Sequence, residues 1–509
     1  MIEGILGGLH TVLILVNLLM VFIGCFAGTF IGMLPGLGPI SAIALMIPIT
    51  YGFDPSSGMI LMAGVYYGAI FGGSTSSILI NAPGVAGTVA TAFDGYPMAR
   101  KGYPGKALAI AAYSSFAGGT IAAIFLLVAA PALATVALSF QSADYFALMV
   151  LGLTAVSAFA GRGQFLKAMM MTVIGLMLAT VGQDVASDVT RFTFGNMDLL
   201  DGISFLLLAM ATFALSEALM TVLEGRHVAS RAKEASRKIG SLKIPRDEVR
   251  EMIPVVGRSS ILGFFIGVLP GAGATIASFL AYGMERGLAP RAKQAEFGAG
   301  SVRGIAAPET ANNAACSGSF VPLLTLGIPG SGTTAVMLGA LISFGIQPGP
   351  RLLVDHPHVF WSVIISMYVG NVILLILNLP LIPYIAKLLA MPARMLVPLV
   401  LFFSLVGVYM VSFNTFDIQM MVVVAIIAVV LRLLGYPMAP LILAFVLGRL
   451  LEENLRRALT ISDGSLSFLW ERPITLVITI ITLLVLVAPV VQFVRGRRVA
   501  DTAVAGEGG

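Results

Sequence analysis

Four Pro-Gly dipeptides, each set in an apolar stretch, are the residues of this chain whose types and spacing best suit chemistry. Residues 28–38 read GTFIGMLPGLG and residues 263–273 read GFFIGVLPGAG. Eight of these eleven positions are identical at an offset of 235, too many for two unrelated loops. A second pair follows in the same order: GGSTSSILINAPGVAGT at 72–88 and GSFVPLLTLGIPGSGT at 318–333. Pro83-Gly84 and Pro329-Gly330 lie 246 residues apart. Proline removes a backbone donor and disfavours helix in the residue before it. Glycine permits unusual dihedrals and close approach. An apolar helix carrying this pattern must break, and broken backbone at membrane depth is tolerated only in protein or beside a cavity. The helix that restarts, as at 39–50, would aim its free N–H groups and positive dipole end at that cavity. Such ends suit an anion, in the first place a carboxylate. The competing reading makes the glycines close helix contacts and the prolines kinks. Two matched pairs of breaks favour the site.

The candidate binding residues are therefore Pro35, Gly36, Gly38, Ser74, Thr75, Asn81 and Gly84 in the first half. In the second they are Pro270, Gly271, Gly273, Asn312, Asn313, Pro329, Gly330, Ser331 and Thr333. Their hydroxyls and amides can hydrogen-bond a carboxylate or ligate a small cation without fixed charge; they can equally bond helix to helix. Glu309, in AAPETANN, reads either as a cation-coupling carboxylate or as a first-turn acid behind Pro308; the first-turn reading is the one adopted. A coupling cation, if bound, would sit near Asn312, Asn313 and Glu309. Asp94 and Arg100 read as loop residues that could gate. His356 and His358 flank Pro357, and a His pair without further ligands reads as a polar loop rather than a metal site. No G-x-S-x-G, H-E-x-x-H or Walker sequence is present, so no catalytic residue, enzyme activity or cofactor is expected. An ion gradient, of Na+ or H+, is the natural energy source.

The elements that must position these residues are membrane helices. Of 509 residues 58% are hydrophobic and 11% charged, against about 25% charged in soluble domains. Apolar segments fall near 11–31, 58–80, 107–134, 146–161, 166–182, 202–222, 259–283, 305–328, 333–347, 359–384, 396–411, 418–434, 438–451 and 473–494. The expected fold is an all-α polytopic membrane protein of about 12–14 membrane segments. Residues 1–222 form a first repeat, 223–258 a basic linker, 259–451 a second repeat, and 452–509 an extra helix and tail. The net charge of +5 sits in particular loops, so it reports topology and not nucleic-acid binding. By the positive-inside rule the linker and the tail, with Arg495, Arg497 and Arg498, are cytoplasmic and the N-terminus is periplasmic. Span parity then puts the loop near 100 inside and its counterpart near 355 outside. The two halves are thus read as inverted repeats with broken helices, a transporter signature. Cys25 and Cys316 read as small helix residues, and Trp361 and Trp470 as interfacial anchors.

The stretches GMLPGLGP (32–39), GVLPGAGATIASFLAYGMERG (267–287) and APETANNAACSGSFVPLLTLGIPGSGTTAVMLGAL (307–341) resemble the TctA family, the large membrane subunit of tripartite tricarboxylate transporters. The resemblance covers nearly the whole chain. It implies import across a bacterial inner membrane, a small TctB-like membrane subunit, and a periplasmic TctC-like solute-binding protein that delivers substrate. Citrate and other tricarboxylates name the family, and related systems take other carboxylates. A passive anion channel and an intramembrane enzyme are the competing classes. The channel lacks a reason for paired broken helices; the enzyme lacks clustered acid–base residues.

Overall fold

The computed structural model describes residues 2–34, 37–158, 164–184, 187–224, 239–271, 273–390 and 393–487. Among the described residues the regular structure is helical, apart from a two-residue ladder between Gly182–Gln183 and Thr190–Arg191. Among the described residues six helices are long and apolar enough to cross a membrane. These are Leu15–Met33, Pro104–Ala137, Phe205–Leu223, Arg246–Val268, Pro357–Asn378 and Thr415–Leu433. The expected 12–14 segments are thus resolved into six full-length crossings and several shorter apolar helices. Gly38–Thr50 and Gly332–Ser343, which follow the breaks, are among the shorter ones. The last part of the expected linker 223–258 is helical, within the continuous helix Arg246–Val268. Residues 225–238 of that linker lie outside the described residues, as do Arg495, Arg497 and Arg498 of the tail.

Two compact units are present, and they cut across the linear halves. One comprises Met1–Leu138 and Ser204–Val430, the other Ser139–Ile203 and Leu431–Gly509. In the second, Gly175 packs on the carbonyl of Leu441, and Asp144 accepts from Arg472 at 2.9 Å and Thr475 at 2.5 Å. A cleft of about 300 Å³ there is lined by Asp184, Arg191, Glu452 and Arg456, which pair with one another.

The first unit contains every candidate residue. Its core is two buried helices, Pro55–Ile80 and Val302–Leu326, here called the first and second central helices. Every residue from Ser56 to Ile80 and from Gly304 to Thr325 is buried. A helix covered on all sides needs no amphipathic stripe, which is why hydroxyls, Tyr and Asn occur around their circumference. Those groups also keep both helices, long as they are, from counting among the six apolar crossings.

Glycine lets neighbours approach to backbone contact. A Cβ on Gly28 or Gly32 would strike the carbonyls of Val65 or Ala69 on the first central helix. A Cβ on Gly263 or Gly267 would strike those of Ala311 or Ala315 on the second. These are the same contacts at the offsets of 235 and 246. Gly72 on Thr29 and Gly318 on Phe264 repeat the match in the reverse sense. The third partner of each central helix comes from the other half. Gly118 of Pro104–Ala137 meets the Thr310 carbonyl, while Pro357–Asn378 packs along the first central helix. Trp361 is not an interfacial ring. It is 4% exposed, because Gly4 and Gly8 of the N-terminal helix leave room for its indole. Trp470 is 59% exposed.

Candidate functional site

Each Pro-Gly break is built by the same local rules. Met33 ends one helix, Leu34 donates its N–H to Ile31 O at 3.0 Å, and a new helix starts at Gly38 with φ +61°. In the second half Leu269 donates to Ile266 O at 3.2 Å, Gly271 and Gly273 take φ +80° and +58°, and a helix restarts at Gly273. Side chains other than glycine rarely adopt these values. Pro35 and Gly36 lie outside the described residues; Pro270 is half-buried at the second break.

The central helices also end alike. Asn81 (φ +53°) and Gly327 (φ +69°), 246 residues apart, are left-handed C-caps that donate to Ser76 O and Pro322 O. Asn81 acts here through its backbone, and its side chain is exposed. Past these caps, the two breaks of each half come together. Gly271 donates its N–H to Gly330 O at 3.0 Å. In the first half Gly38 lies beside the Gly84 carbonyl. A Cβ on Gly84 would collide with the Gly32 carbonyl, and one on Gly330 would come within 3.0 Å of that of Gly267. Pro329 is buried beside Gly330. Ser331 caps the following helix in a reciprocal box with Thr334, and Thr333 is buried in its first turn.

The halves then reach into one another. Asn312, on the second central helix, lies against Gly87, four residues past Pro83. Tyr66, its counterpart 246 residues earlier, places its hydroxyl 3.4 Å from Ser331 Oγ, two residues past Pro329. The helix after the first break packs on Gly332–Ser343, and that after the second on the turn Ala86–Thr88. Both side-chain polar atoms of Asn312 and Oδ1 of Asn313 are buried without a partner among the described residues. Nδ2 of Asn313 donates to Glu309 O at 3.0 Å. Unmade hydrogen bonds of this kind cost about 1–3 kcal/mol each, so an ordered water or a bound group that supplied them would be favoured here.

Glu309 is not a first-turn acid. The helix begins at Val302 and runs through Pro308, so Glu309 lies in its third turn and is fully buried. Its Oε2 accepts from Ser74 Oγ at 2.7 Å and Ser115 Oγ at 2.8 Å, and its Oε1 from Thr91 Oγ1 at 2.5 Å. Ser74 thus serves the carboxyl rather than a break, and Thr75 is buried beside it. Asp94 is not a loop residue either. It is buried on the helix Val89–Arg100, and its carboxylate accepts from Tyr282 and from the N–H groups of Gly298, Gly300 and Ser301 at 2.7–2.9 Å. Tyr66, Thr91 and Ser115 are missing from the sequence reading. The offset of 246 from Asn312 points to Tyr66; nothing in the spacing marks the other two. No group of three or more His, Cys, Asp or Glu side chains converges among the described residues.

Residues 18–443 match the Tripartite tricarboxylate transporter TctA family. The chain belongs to this family. It is 44% identical over 496 residues, 96% of both chains, to the "Uncharacterized 52.8 kDa protein in TAR-I ttuC' 3'region" of Agrobacterium vitis. It is also 44% identical over 236 residues, 46% of this chain and 97% of the relative, to the "Uncharacterized protein in TAR-II ttuC' 3'region" of the same organism. No solved structure matches it. As a TctA-family protein the chain is a multi-pass membrane transport protein and a permease rather than an enzyme. The matched region takes in all four breaks and both central helices.

Proposed function

We propose that this chain is the permease subunit of a secondary transporter that imports citrate or a related organic carboxylate across the bacterial inner membrane, driven by an ion gradient. A small TctB-like subunit completes it, and a periplasmic TctC-like protein delivers the substrate. The observation that carries this reading is the meeting of two helix breaks in each half, with the buried Asn312 amide, without a partner among the described residues, against the turn that follows one of them. The substrate site is taken to be where Asn312 lies against the turn at Gly87, with Asn313 next to it on the helix and Tyr66 meeting Ser331 at the matching place in the other half. Neutral donors and helix N-termini there bind a carboxylate without a fixed countercharge, so it can be released on the far side. The matched contacts at offsets 235 and 246, with the basic linker and tail inside, support inverted repeats that alternate access. In this arrangement the N-terminus is periplasmic. The test is uptake of labelled citrate by proteoliposomes that hold the chain and its two partners. Saturable uptake that requires an imposed ion gradient supports the reading; flux that rises linearly with citrate and ignores the gradient refutes it.

A further inference from the structure

Glu309 is a buried acid with three hydroxyl partners, one each from the first central helix, the helix Val89–Arg100 and the helix Pro104–Ala137. No cation reaches it among the described residues. Lys106, on the Pro104–Ala137 helix, pairs with Glu248 at 2.9 Å, and Tyr113 on the same helix faces outward. Arg258 pairs with Glu285, and Arg303 with Glu251 and Glu285. Asp94 is taken up by Tyr282 and the 298–301 backbone, while Tyr96 and Arg100 lie further along that helix. On the first central helix Tyr67 bonds Ser317 at 3.0 Å and Tyr66 faces Ser331. An ionised carboxylate buried without a cation is costly, by several kcal/mol.

Beside Ser74 and Ser115 lies a cavity of about 10 Å³, also lined by Thr75, Phe71, Leu108 and Asn378. It is on the order of the room one water needs. Oδ1 of Asn378 is buried without a partner among the described residues. The linker closes this side: Leu242 and Ile244 pack against Ala109, Ala112 and Leu379.

We propose that Glu309 is the site of the coupling proton, held as a neutral carboxylic acid in the arrangement described here and exchanged through Ser115 and a water beside Asn378. The inference rests on the transporter reading above. Hydroxyls suit the task because each can donate to a carboxylate or accept from a neutral acid by rotating one bond. Both protonation states are therefore satisfied without moving a heavy atom, which an arginine or lysine partner does not allow. A sodium ion fits less well. The hydroxyls sit at 2.5–2.8 Å from the carboxylate oxygens, two on Oε2 and one on Oε1, so the carboxyl itself already takes up their contacts. The step is balanced: a proton is taken up from one side by the carboxylate and released as the same proton on the other.

The first test is difference infrared spectroscopy of the purified chain at neutral pH. The carbonyl band of a neutral carboxylic acid is expected, absent in Glu309→Gln and shifted in Ser115→Ala, where one hydroxyl partner is gone. A band that persists unchanged in Glu309→Gln, or none in the wild type, overturns the proposal. The second is citrate uptake by the complete transporter in proteoliposomes, with and without an imposed pH gradient. The wild-type rate should rise at least tenfold with the gradient, and the ratio should fall to about one in Glu309→Gln. Acceleration by a sodium gradient alone, or an unchanged ratio in Glu309→Gln, overturns it. If the infrared result holds but the wild type moves no citrate under any gradient, the proton site stands and the citrate reading falls.

Discussion

Replacing Asn312 by leucine separates a ligand site from a packing site, because the two readings demand opposite stability changes. Both polar atoms of the Asn312 amide are buried without partners among the described residues. Each costs about 1–3 kcal/mol in the unliganded fold. Leucine has nearly the same shape and removes both penalties. Its methyl groups are larger than the oxygen and nitrogen they replace, and overpacking costs about 1–3 kcal/mol. The position abuts Gly87, whose missing Cβ makes the room that the amide already fills, so leucine gains no further space on that side. The sum, about 2–6 kcal/mol gained against about 1–3 kcal/mol lost, runs from roughly 1 kcal/mol against Asn312→Leu to roughly 5 kcal/mol in its favour. The substrate meanwhile loses a hydrogen bond to a charged group, about 1.5–3 kcal/mol, or roughly 10- to 150-fold in affinity. Thermal unfolding in detergent and citrate uptake per folded molecule read the two effects. The expected result is an unfolding midpoint at or above that of the wild type with uptake down at least tenfold. A midpoint several degrees lower, with uptake per folded molecule unchanged, would show that the amide is a structural bond and refute the reasoning.

Further outcomes follow from other parts of the fold. Gly271→Ala places a Cβ at φ +80°, at a cost of about 1–2 kcal/mol, and disturbs the N–H bond to Gly330. Uptake per folded molecule should fall at least tenfold with membrane insertion intact, as should that of Gly36→Val on the other break; wild-type rates in either would dissolve the paired-break site. Asp94→Asn turns charge-assisted bonds to three backbone N–H groups into neutral ones, a loss of about 2–4 kcal/mol. Trypsin should then cut sooner at Arg291 and Lys293, and an unchanged cleavage rate would deny Asp94 the role of anchor. A cysteine at Ser236 should resist an impermeant reagent applied from outside, while one at Ile2 reacts; the reverse pattern would invert the topology.

How much of this was legible depends on whether a feature leaves a period or a motif in the chain. The breaks did, because glycine at positive φ has few substitutes, and so Gly38, Gly271 and Gly273 can be read directly. The glycine seams were half legible. Gly28 and Gly32 stood inside the repeated motif, but their contacts with Val65 and Ala69 needed coordinates. Which of the apolar segments are long enough to cross was not legible, since apolarity marks buried helices and lipid-facing ones alike. Glu309 was misread because Pro308 looks like a helix start. Proline inside a packed helix is tolerated where neighbours satisfy the freed carbonyl, and hydropathy does not report that. Thr91 and Ser115 had no signal at all, because their function comes from three helices that meet only in the fold.

The packing itself suggests how a proton on Glu309 and a carboxylate near Asn312 come to depend on one another. Each central helix is bound by backbone contact to partners that include one helix from the other half. Leu15–Met33 and Pro357–Asn378 line the first, and Arg246–Val268 and Pro104–Ala137 the second. Such glycine seams are stiff, since a small slide drives Cα into carbonyl. The two central helices, by contrast, touch each other at few points. Those points are polar or aromatic: Ser74 with Glu309, Tyr67 with Ser317, and Tyr67 stacked on Phe320 at 6.0 Å. Parting the two central helices breaks only this line of single contacts, while Pro104–Ala137 and Pro357–Asn378, which also pack on one another, must slide. Glu309 stands on that line, one turn before Asn312 on the same helix. A neutral acid can stay buried between the groups, whereas a charged one gains several kcal/mol from reaching water. On the proposed reading of Glu309, loss of its proton favours parting the two central helices, on which Tyr66 and Asn312 lie. On this reasoning substrate and proton are coupled by sharing one interface, and no longer pathway between them is required.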